Sequence, residues 1–428
     1  MSTKIVTIFG LGYVGLPLAC LCAENGYLVY GVDIENSKVT NINNGVCPIR
    51  DGSLEKDVAR LKGLINATTD GISAVQNSDI VIVCVPTPVN KESKPNLSFV
   101  ESALITISKG LKPGQLIIIE STVAPGTTES LVKEILETSN YKASIDFDLA
   151  HCPERIDPGS KNWELKSIPR VVGALSSDGA NRAKEFYQSI LDAEIYVMST
   201  VKAAEAVKIV ENTFRDINIA FVNEMAMSFD VLDIDLIEVL EGASTKPFGF
   251  MPFFPGCGVG GHCIPVDPYY LIHAAEEYGF IHQFLNLSRE INNNMPNYTI
   301  RQLMRAFDES GMNIEHSTIT VLGLAYKGGV DDLRGSPALK IIPEIEKMCS
   351  NLKIFDPYVP DKSTEIDMAS AIKGSDCILI LTDHPEFKNI LKIILDCGVK
   401  IVVDGKNIMD KNLVKNAGLI YRGIGRGL

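Results

Sequence analysis

The sequence has no apolar run of the roughly 18 residues that a membrane-spanning helix needs, so no transmembrane segment is expected. Its start shows no charged segment followed by a separate apolar one, and the residues from Lys4 onward predict a first β-strand instead of a signal peptide. Basic residues are also in deficit, with 40 Lys and Arg against 53 Asp and Glu, a net charge of −13. Because an acidic surface repels nucleic acid and anionic membranes, neither is expected as a partner.

Cysteine is present ten times, but no CxxC pair and no zinc-ligand spacing occurs. Most of the cysteines lie in apolar runs, such as Cys84 in IVIVCVP and Cys377 in DCILIL, which is typical of buried reduced thiols. A chain of 428 residues does not need a disulfide framework. We therefore expect no bound metal and a reducing, cytoplasmic location.

Short apolar strands alternate with helical segments in the first part of the chain, which predicts an α/β fold with a parallel, doubly wound sheet. The alternation returns after Ser317, where GSDCILILTDHP (374–385) resembles NSDIVIVCVPTP (77–88). These patterns predict two α/β domains, an N-terminal one at 1–199 and a C-terminal one at 313–428.

The middle of the chain, residues 200–312, is predicted to be a helical domain. Residues 200–232 lack Gly and Pro and carry apolar residues at helical spacing. They predict one helix of about 30 residues and about 45 Å, long enough to bridge domains or to form a dimer seam. The Gly-, Pro- and Phe-rich residues 244–268 cannot be regular throughout, and a further helix is predicted from about 285 to 310.

A GxGxxG motif formed by Gly10, Gly12 and Gly15 follows the first strand and opens a helix, and Asp33 ends the second strand. Such glycines permit a tight turn and let a pyrophosphate approach the backbone at the helix N-terminus. A carboxylate at Asp33 accepts hydrogen bonds from both ribose hydroxyls and repels a 2′-phosphate, which favours NAD over NADP, although Lys38 is near. The alternative is a Gly-rich turn in a domain that binds nothing.

A second GxGxxG, at Gly256, Gly258 and Gly261, follows FMPFFPG instead of a strand and is predicted to be a loop. Cys263 lies in this loop, just before Asp267 and a proline that look like the start of a helix. A helix N-terminus favours a thiolate. Spacing alone leaves two alternatives open: a reactive thiol, or a small filler beside a capping aspartate.

Polar residues occupy two further kinds of position. Lys208 and Asn212 are four residues apart in the predicted long helix and share a face, either as functional groups or as part of a solvated surface. Thr87, Thr122 and Glu154 each follow an apolar strand. Ligands of open α/β sheets bind at such strand ends, although each residue could also belong to an ordinary turn.

The motifs GLGYVGLP, VPTP, ESTVAPGTT, CPER, KIVENTFR, GCGVGGHCIPVDP and LAYKGGVDDLRGSPAL occur in this order and resemble the UDP-glucose/GDP-mannose dehydrogenase family over essentially the whole chain. The resemblance implies two Rossmann-like domains joined by a long central helix, homodimers or higher oligomers, and NAD as the cofactor. It also implies a four-electron oxidation of the C6 alcohol of a UDP-sugar to a carboxylate with two NAD⁺. The product would be a precursor of surface polysaccharide or glycan.

The resemblance implies a catalytic role for six residues. Cys263 is the nucleophile that forms a thiohemiacetal and then a thioester, Lys208 is the cation beside the developing alkoxide, and Asn212 positions the same oxygen. The remaining three act on water, which Asp267 and Thr122 hold or activate and Glu154 deprotonates for thioester hydrolysis.

The expected cofactor contacts are Gly10, Gly12, Tyr13, Val14, Gly15, Asp33, Lys38, Thr87, Thr122 and Arg334. The expected substrate contacts are Glu154, Arg155, Lys208, Asn212, Gly260, Gly261, Tyr326, Lys327, Lys406 and Lys246. Lys406 stands where the family often has Arg, and Lys246 matches, through a loose alignment, a position that reaches across from a partner subunit.

The sugar is predicted from the segments CPERIDPG and STKPFGFMPFFPG, which look like those of members that oxidise UDP-N-acetylhexosamines. UDP-N-acetylglucosamine is the first choice, UDP-N-acetylmannosamine the second and UDP-glucose the third. Two other classes remain open: a non-catalytic NAD(H)-binding redox sensor, and a single-step alcohol dehydrogenase that needs no cysteine.

Overall fold

The computed structural model describes residues 4–49, 52–90, 92–156 and 165–427. The chain divides into two compact units, Met1–Glu211 with Tyr269–Ile281 and Asn212–Pro268 with His282–Leu428. The three-domain division made from the sequence stays a prediction. Within the described ranges, no helix is both long enough and apolar enough to cross a bilayer.

The first unit contains an eight-stranded sheet. Its strands are β1 (Ile5–Phe9), β2 (Leu28–Val32), β3 (Ile65–Thr68), β4 (Ile80–Val83), β5 (Leu116–Ile119), β6 (Asp148–His151), β7 (Arg170–Ala174) and β8 (Ile195–Val197). They lie in the order β3-β2-β1-β4-β5-β6-β7-β8. All neighbours are parallel except β6 and β7, so the predicted parallel sheet is correct apart from this pair. An antiparallel pair needs no crossover helix.

Helices cover both faces of this sheet. They are α1 (Gly15–Glu24), α2 (Asn36–Asn43), α3 (Gly52–Arg60), α4 (Gly71–Gln76), α5 (Ser98–Gly110), α6 (Lys133–Glu137) and α7 (Ser177–Ile190). One apolar core lies on each face of the sheet. This arrangement explains why β4 and β5 are continuous apolar runs instead of alternating ones.

The predicted long helix is confirmed as α8, Val201–Val231, of 31 residues. In the second unit its later turns pack on α11 (Gln283–Ser310) through buried polar pairs. The Arg289 guanidinium lies 2.5 Å from the Asp216 carboxylate, and the Asn223 amide donates to Asn292. The other helices of the middle segment are α9 (Leu236–Ser244) and α10 (Asp267–Glu276). Residues 245–266, all of which the structure describes, contain no helix or strand, in agreement with the prediction that 244–268 are not regular throughout.

The second unit contains a five-stranded parallel sheet. Its elements are β9 (Thr318–Leu322), α12 (Ala338–Glu346), β10 (Asn351–Phe355), α13 (Met368–Ile372), β11 (Cys377–Ile380), α14 (Leu391–Asp396), β12 (Ile401–Asp404), α15 (Lys411–Asn416) and β13 (Ile420–Gly423). The strand order is β10-β9-β11-β12-β13. The fold is therefore two Rossmann-like domains connected by a long helix and a helical middle segment.

The internal sequence repeat corresponds to a structural one. Strands β4 and β11 occupy the same place in their sheets, beside β1 and β9. The hydroxyl groups of Thr7 and Ser78 form a buried hydrogen bond in the first sheet, and those of Thr320 and Ser375 do so in the second. The two sheets thus repeat side-chain contacts as well as strand order.

Candidate active site

The three glycines of the first GxGxxG meet different steric demands in the turn between β1 and α1. Gly10 has φ +90°, and a β-carbon there would lie 2.7 Å from the Cys84 carbonyl oxygen. A β-carbon on Gly15 would lie 1.9 Å from the Gly10 carbonyl oxygen. Beside Gly12, by contrast, no atom of the described residues other than its two chain neighbours lies within 4 Å of that position. The open space beside Gly12 therefore allows a ligand to approach the backbone closely.

Asp33 follows β2 and is largely buried. Its Oδ2 accepts from the Leu11 amide at 3.0 Å and its Oδ1 accepts from the Glu35 amide at 3.0 Å. The Lys38 Nζ lies 3.7 Å from Oδ2. Asp33 is thus tied to the Gly-rich turn, where the sequence predicts the ribose-binding carboxylate.

The sequence-predicted residues Thr87, Thr122 and Glu154 follow β4, β5 and β6, which are parallel neighbours in the sheet. Their strands therefore end at the same edge, and both threonines are partly buried there. The Thr87 carbonyl accepts from the Tyr270 hydroxyl at 2.9 Å. The structure brings these three positions to one edge of the first sheet, as the sequence predicts.

Glu154 and Lys208 form a buried pair in the first unit. The Lys208 Nζ lies 3.5 Å from Glu154 Oε2, and both residues are less than a tenth exposed. Glu154 Oε1 is buried and has no hydrogen-bond partner among the described residues. Burial raises the pKa of Glu154 above its ordinary value, and the charges of Lys208 and Arg170 oppose that rise. A buried carboxylate with a raised pKa and an unused oxygen is suited to accepting a proton.

A second buried network lies against Glu154 and was missed by sequence reasoning. The Tyr187 hydroxyl donates to the Glu120 carboxylate at 2.5 Å. The Arg170 guanidinium lies 4.0 Å from Glu120 and donates to the Pro153 carbonyl at 3.3 Å. Burial raises the pKa of Glu120. The available signal was a charged residue directly flanking a buried apolar strand, Glu120 after β5 and Arg170 at the start of β7.

Arg155, a predicted substrate contact, is engaged within its own unit. Its guanidinium donates to the Pro169 carbonyl at 3.0 Å and pairs with Glu211. A contact between Arg155 and a sugar would have to share or replace these bonds, so this role stays a prediction.

In the second unit, Cys263 lies four residues before the start of α10. Its carbonyl accepts from the Val266 amide at 3.0 Å and the Asp267 amide at 2.8 Å, which closes a turn onto the helix. The buried Asp267 carboxylate accepts from the Asn212 side-chain amide at 2.5 Å. Helix α10 begins at Asp267, so the predicted helix start is confirmed. Three predicted residues, Cys263, Asp267 and Asn212, therefore belong to one connected set of contacts.

The glycines before Cys263 pack on the segment that carries Tyr326. A β-carbon on Gly260 would lie 2.6 Å from the Tyr326 Cβ, and one on Gly261 would lie 3.1 Å from the tyrosine ring. The Gly261 amide also donates to the Arg334 carbonyl at 2.9 Å. The Arg334 guanidinium pairs with Asp332. Its predicted contact with the cofactor stays a prediction.

Three predicted lysines occupy different surroundings in the second unit. Lys327 follows Tyr326 and is partly buried. Lys406 follows β12. Its side chain would lie 3.8 Å from a β-carbon on Gly256, which lies seven residues before Cys263. Lys246 is exposed, with its ammonium 4.9 Å from the centre of the Phe248 ring. The roles of all three stay predictions.

The first unit meets the requirements of a dinucleotide site. A strand, a Gly-rich turn with open space at Gly12, a helix beginning at Gly15 and a carboxylate after the next strand occur in the order that such sites need. Asp33 fits a ribose that carries no 2′-phosphate. These features define an NAD-binding oxidoreductase domain of the Rossmann class.

The chain belongs to the UDP-glucose/GDP-mannose dehydrogenase family. Family models match the NAD binding domain at residues 4–191, the central domain at 202–294 and the UDP binding domain at 320–411. The protein is therefore an NAD-dependent UDP-sugar dehydrogenase, as the sequence predicts.

Relatives match over nearly the full length. A UDP-N-acetyl-D-mannosamine dehydrogenase of Pyrococcus horikoshii is 38% identical, with 99% of both chains covered. A UDP-N-acetyl-D-glucosamine 6-dehydrogenase of Salmonella typhi is 36% identical, with 90% of each covered. Among solved structures, the UDP-D-ManNAc dehydrogenase of Pyrococcus horikoshii has a TM-score of 0.92 at 37% identity, with 99% of both chains covered. Cap5O of Staphylococcus aureus, a UDP-N-acetyl-mannosamine dehydrogenase, has a TM-score of 0.86 at 33% identity, covering 99% of this chain and 98% of Cap5O.

Proposed function

We propose that this chain oxidises C6 of a UDP-N-acetylhexosamine to the carboxylate, with two NAD⁺ per sugar, through a covalent intermediate on Cys263. The observation that carries this proposal is the full-length similarity to dehydrogenases named for N-acetylated sugars. UDP-N-acetyl-D-mannosamine becomes the first candidate, because that name recurs among the relatives. UDP-N-acetylglucosamine, the first choice from the sequence, is the second candidate through the Salmonella typhi relative.

The cofactor would be held by the Gly10–Gly15 turn and by Asp33, and when bound it supplies the hydride acceptor for both oxidations. Lys208 would stabilise negative charge on the C6 oxygen, because a buried ammonium acts strongly where water is excluded. Asn212 would position the same oxygen.

Cys263 divides the reaction into two oxidations. Its thiolate attacks the C6 aldehyde, forming a C–S bond and a thiohemiacetal. Loss of the second hydride gives a thioester. A water molecule whose proton passes to Glu154 then attacks the carbonyl, the C–S bond breaks, and the thiolate and the sugar carboxylate are released. Asp267 and Thr122 would hold that water.

NADH formation against four UDP-sugars tests the substrate. We expect turnover with UDP-N-acetylmannosamine or UDP-N-acetylglucosamine and kcat/KM at least about tenfold lower with UDP-glucose, a difference of roughly 1.4 kcal/mol. UDP-N-acetylgalactosamine reports on selectivity at C4. Preference for UDP-glucose would refute the N-acetylhexosamine proposal. NADH formation with none of the four sugars would favour the redox-sensor alternative.

The active form is proposed to be a homodimer. Phe214 and Phe221 on α8 are about half exposed, as are Met251 and Phe254 in the loop after α9. Phe214, Phe221 and Met251 line the same cavity, and exposed apolar residues that cluster in this way are typical of an interface. Light scattering after size exclusion should give about twice the 46.6 kDa chain mass, and a monomer at micromolar concentration would contradict the proposal.

A further inference from the structure

Asp356 in the second sheet is the counterpart of Asp33 in the first. Asp33 accepts from the Leu11 amide through Oδ2 and from the Glu35 amide through Oδ1. Asp356 accepts from the Leu324 amide at 2.6 Å through Oδ2 and from the Tyr358 amide at 2.8 Å through Oδ1. In both cases the first donor follows a glycine of positive φ and the second lies two residues after the aspartate. The two carboxylates therefore hold equivalent positions in the repeated fold.

Their surroundings differ in one respect that matters for ligand binding. Asp356 is fully buried, and its Oδ2 also accepts from the Ala325 amide and from the His384 ring at 3.1 Å. The Gly329 amide donates to His384 Nδ1 at 3.0 Å. Because Nδ1 accepts that bond, the ring proton is on Nε2, which donates to Asp356. Asp33 is the predicted ribose-binding carboxylate of the first sheet, whereas its counterpart in the second sheet, Asp356, is hydrogen-bonded to His384.

The same histidine lies in a short segment that holds the loop carrying Tyr326 and Lys327. The Thr382 hydroxyl donates to the Ala325 carbonyl at 2.6 Å, and the Gly328 amide donates to the Asp383 carboxylate at 2.8 Å. With the bond from Gly329 to His384, three successive residues, 382–384, each bind this loop. A β-carbon on Gly328 would lie 2.3 Å from the Asp383 carbonyl oxygen, so the backbones are in close contact.

The loop that carries Tyr326 also contacts the glycines that precede Cys263. Gly260 and Gly261 pack directly on Tyr326, as described above, and Cys263 follows two residues later. A displacement of the Tyr326 loop would therefore move the backbone next to the nucleophile. Because His384 is fully buried and bonded at both ring nitrogens, it has little freedom to move.

We propose that His384 is a positioning residue for the UDP-sugar: paired with Asp356, it fixes the Tyr326–Lys327 loop in the conformation that receives the nucleotide. This inference rests on the proposed function and on the sequence prediction that Tyr326 and Lys327 contact the UDP-sugar. It adds that Asp356, the counterpart of Asp33, forms with His384 an internal clamp that holds the Tyr326–Lys327 loop.

Two substitutions separate the two bonds of His384. In His384→Asn the side-chain oxygen lies near the former Nδ1 and can still accept from Gly329. In His384→Gln the amide nitrogen lies near the former Nε2 and can still donate to Asp356, but the acceptor for Gly329 is lost. The matched control is His316→Gln, an exposed histidine in the same unit. The full-length protein is used, with UDP as the calorimetric probe and NAD⁺ titrated separately.

We expect His384→Gln to weaken UDP binding and to raise KM for the UDP-sugar about tenfold, the effect of losing one buried hydrogen bond. We expect His384→Asn to change both by less than threefold, and NAD⁺ affinity to stay within twofold in both variants. Equal effects of the two substitutions, or a parallel loss of NAD⁺ affinity, would overturn the proposal. The UDP titration still reports on His384 if no UDP-sugar is oxidised, so failure of the proposed function remains distinguishable.

Hydrogen exchange of the unmodified protein provides a readout that does not depend on the variants folding. Slow exchange of the Gly328 and Gly329 amides supports the clamp. Exchange at the rate of an open loop would overturn it.

Discussion

At the scale of single residues, Glu154 has the surroundings that its proposed role as the base requires. One of its carboxylate oxygens lies near Lys208, and the other is buried without a partner in the described part of the chain. Burial raises its pKa above the ordinary value of 4.5, although Lys208 opposes the rise. A base must be ionised to act, so activity should be lost as the pH falls through a pKa above 4.5.

This assignment predicts the behaviour of Glu154→Gln. We expect kcat to fall by about 10²- to 10⁴-fold, the usual contribution of a general base, and NAD⁺ affinity to change little. The rate that remains should lack the acid limb of the wild-type pH profile. The control is Glu129→Gln, a surface carboxylate paired with Lys202, which should keep the wild-type profile. An unchanged kcat or acid limb in Glu154→Gln would exclude it as the base.

Single residues were predictable where local sequence fixes their position. Asp33 at a strand end and Asp267 at a helix start follow from motif spacing. The Glu120–Arg170–Tyr187 network and the Asp356–His384 pair were not predictable, because their partners lie 17 to 67 residues apart in the sequence. Contacts of that kind depend on strand order, which periodicity does not specify.

At the scale of elements, substitutions in the turn between β1 and α1 can distinguish residues needed for the fold from residues needed for cofactor binding. Gly15→Ala would place a β-carbon 1.9 Å from the Gly10 carbonyl, so the turn must distort. We expect a loss of about 1–3 kcal/mol in the free energy of unfolding, as overpacking usually costs. Chemical denaturation of the variant and of the wild-type protein measures this difference in the free energy of unfolding.

Gly12→Ala is the matched variant, because apart from its chain neighbours its β-carbon would meet no atom of the described residues within 4 Å. We expect its free energy of unfolding to change by less than about 1 kcal/mol, the range of ordinary Gly-to-Ala effects. Its KM for NAD⁺ should rise, since the added methyl occupies the space through which the pyrophosphate approaches. Equal stability of the two variants, or an unchanged KM for NAD⁺ in Gly12→Ala, would contradict this account of the turn.

Elements with a strong local signal were predicted well. Helix α8 follows from a long segment without Gly or Pro, and the second Rossmann-like sheet follows from the repeat of 77–88 in 374–385. The antiparallel pairing of β6 with β7 was not predicted, because an apolar run does not reveal the direction of its neighbour. The same limit applies to the packing of α8 on α11 through Asp216 and Arg289.

At the scale of the whole molecule, the residues named in the proposed reaction are divided between the two units. The cofactor turn, Glu154 and Lys208 belong to the first unit, while Cys263, Asn212 and Asp267 belong to the second. A single oxidation of the alcohol would need no cysteine. The second oxidation and the hydrolysis are what Cys263 would add, so Cys263→Ser should stall the cycle while NAD⁺ affinity stays close to wild type.

The most direct test of this account is the amount of NADH formed per UDP-N-acetylhexosamine consumed by the full-length enzyme. NADH absorbance gives the first quantity and chromatography of the remaining sugar nucleotide gives the second. We expect a ratio of about two, with the uronic acid as the only product that accumulates. A ratio of one, with the aldehyde released, would contradict the covalent route through Cys263.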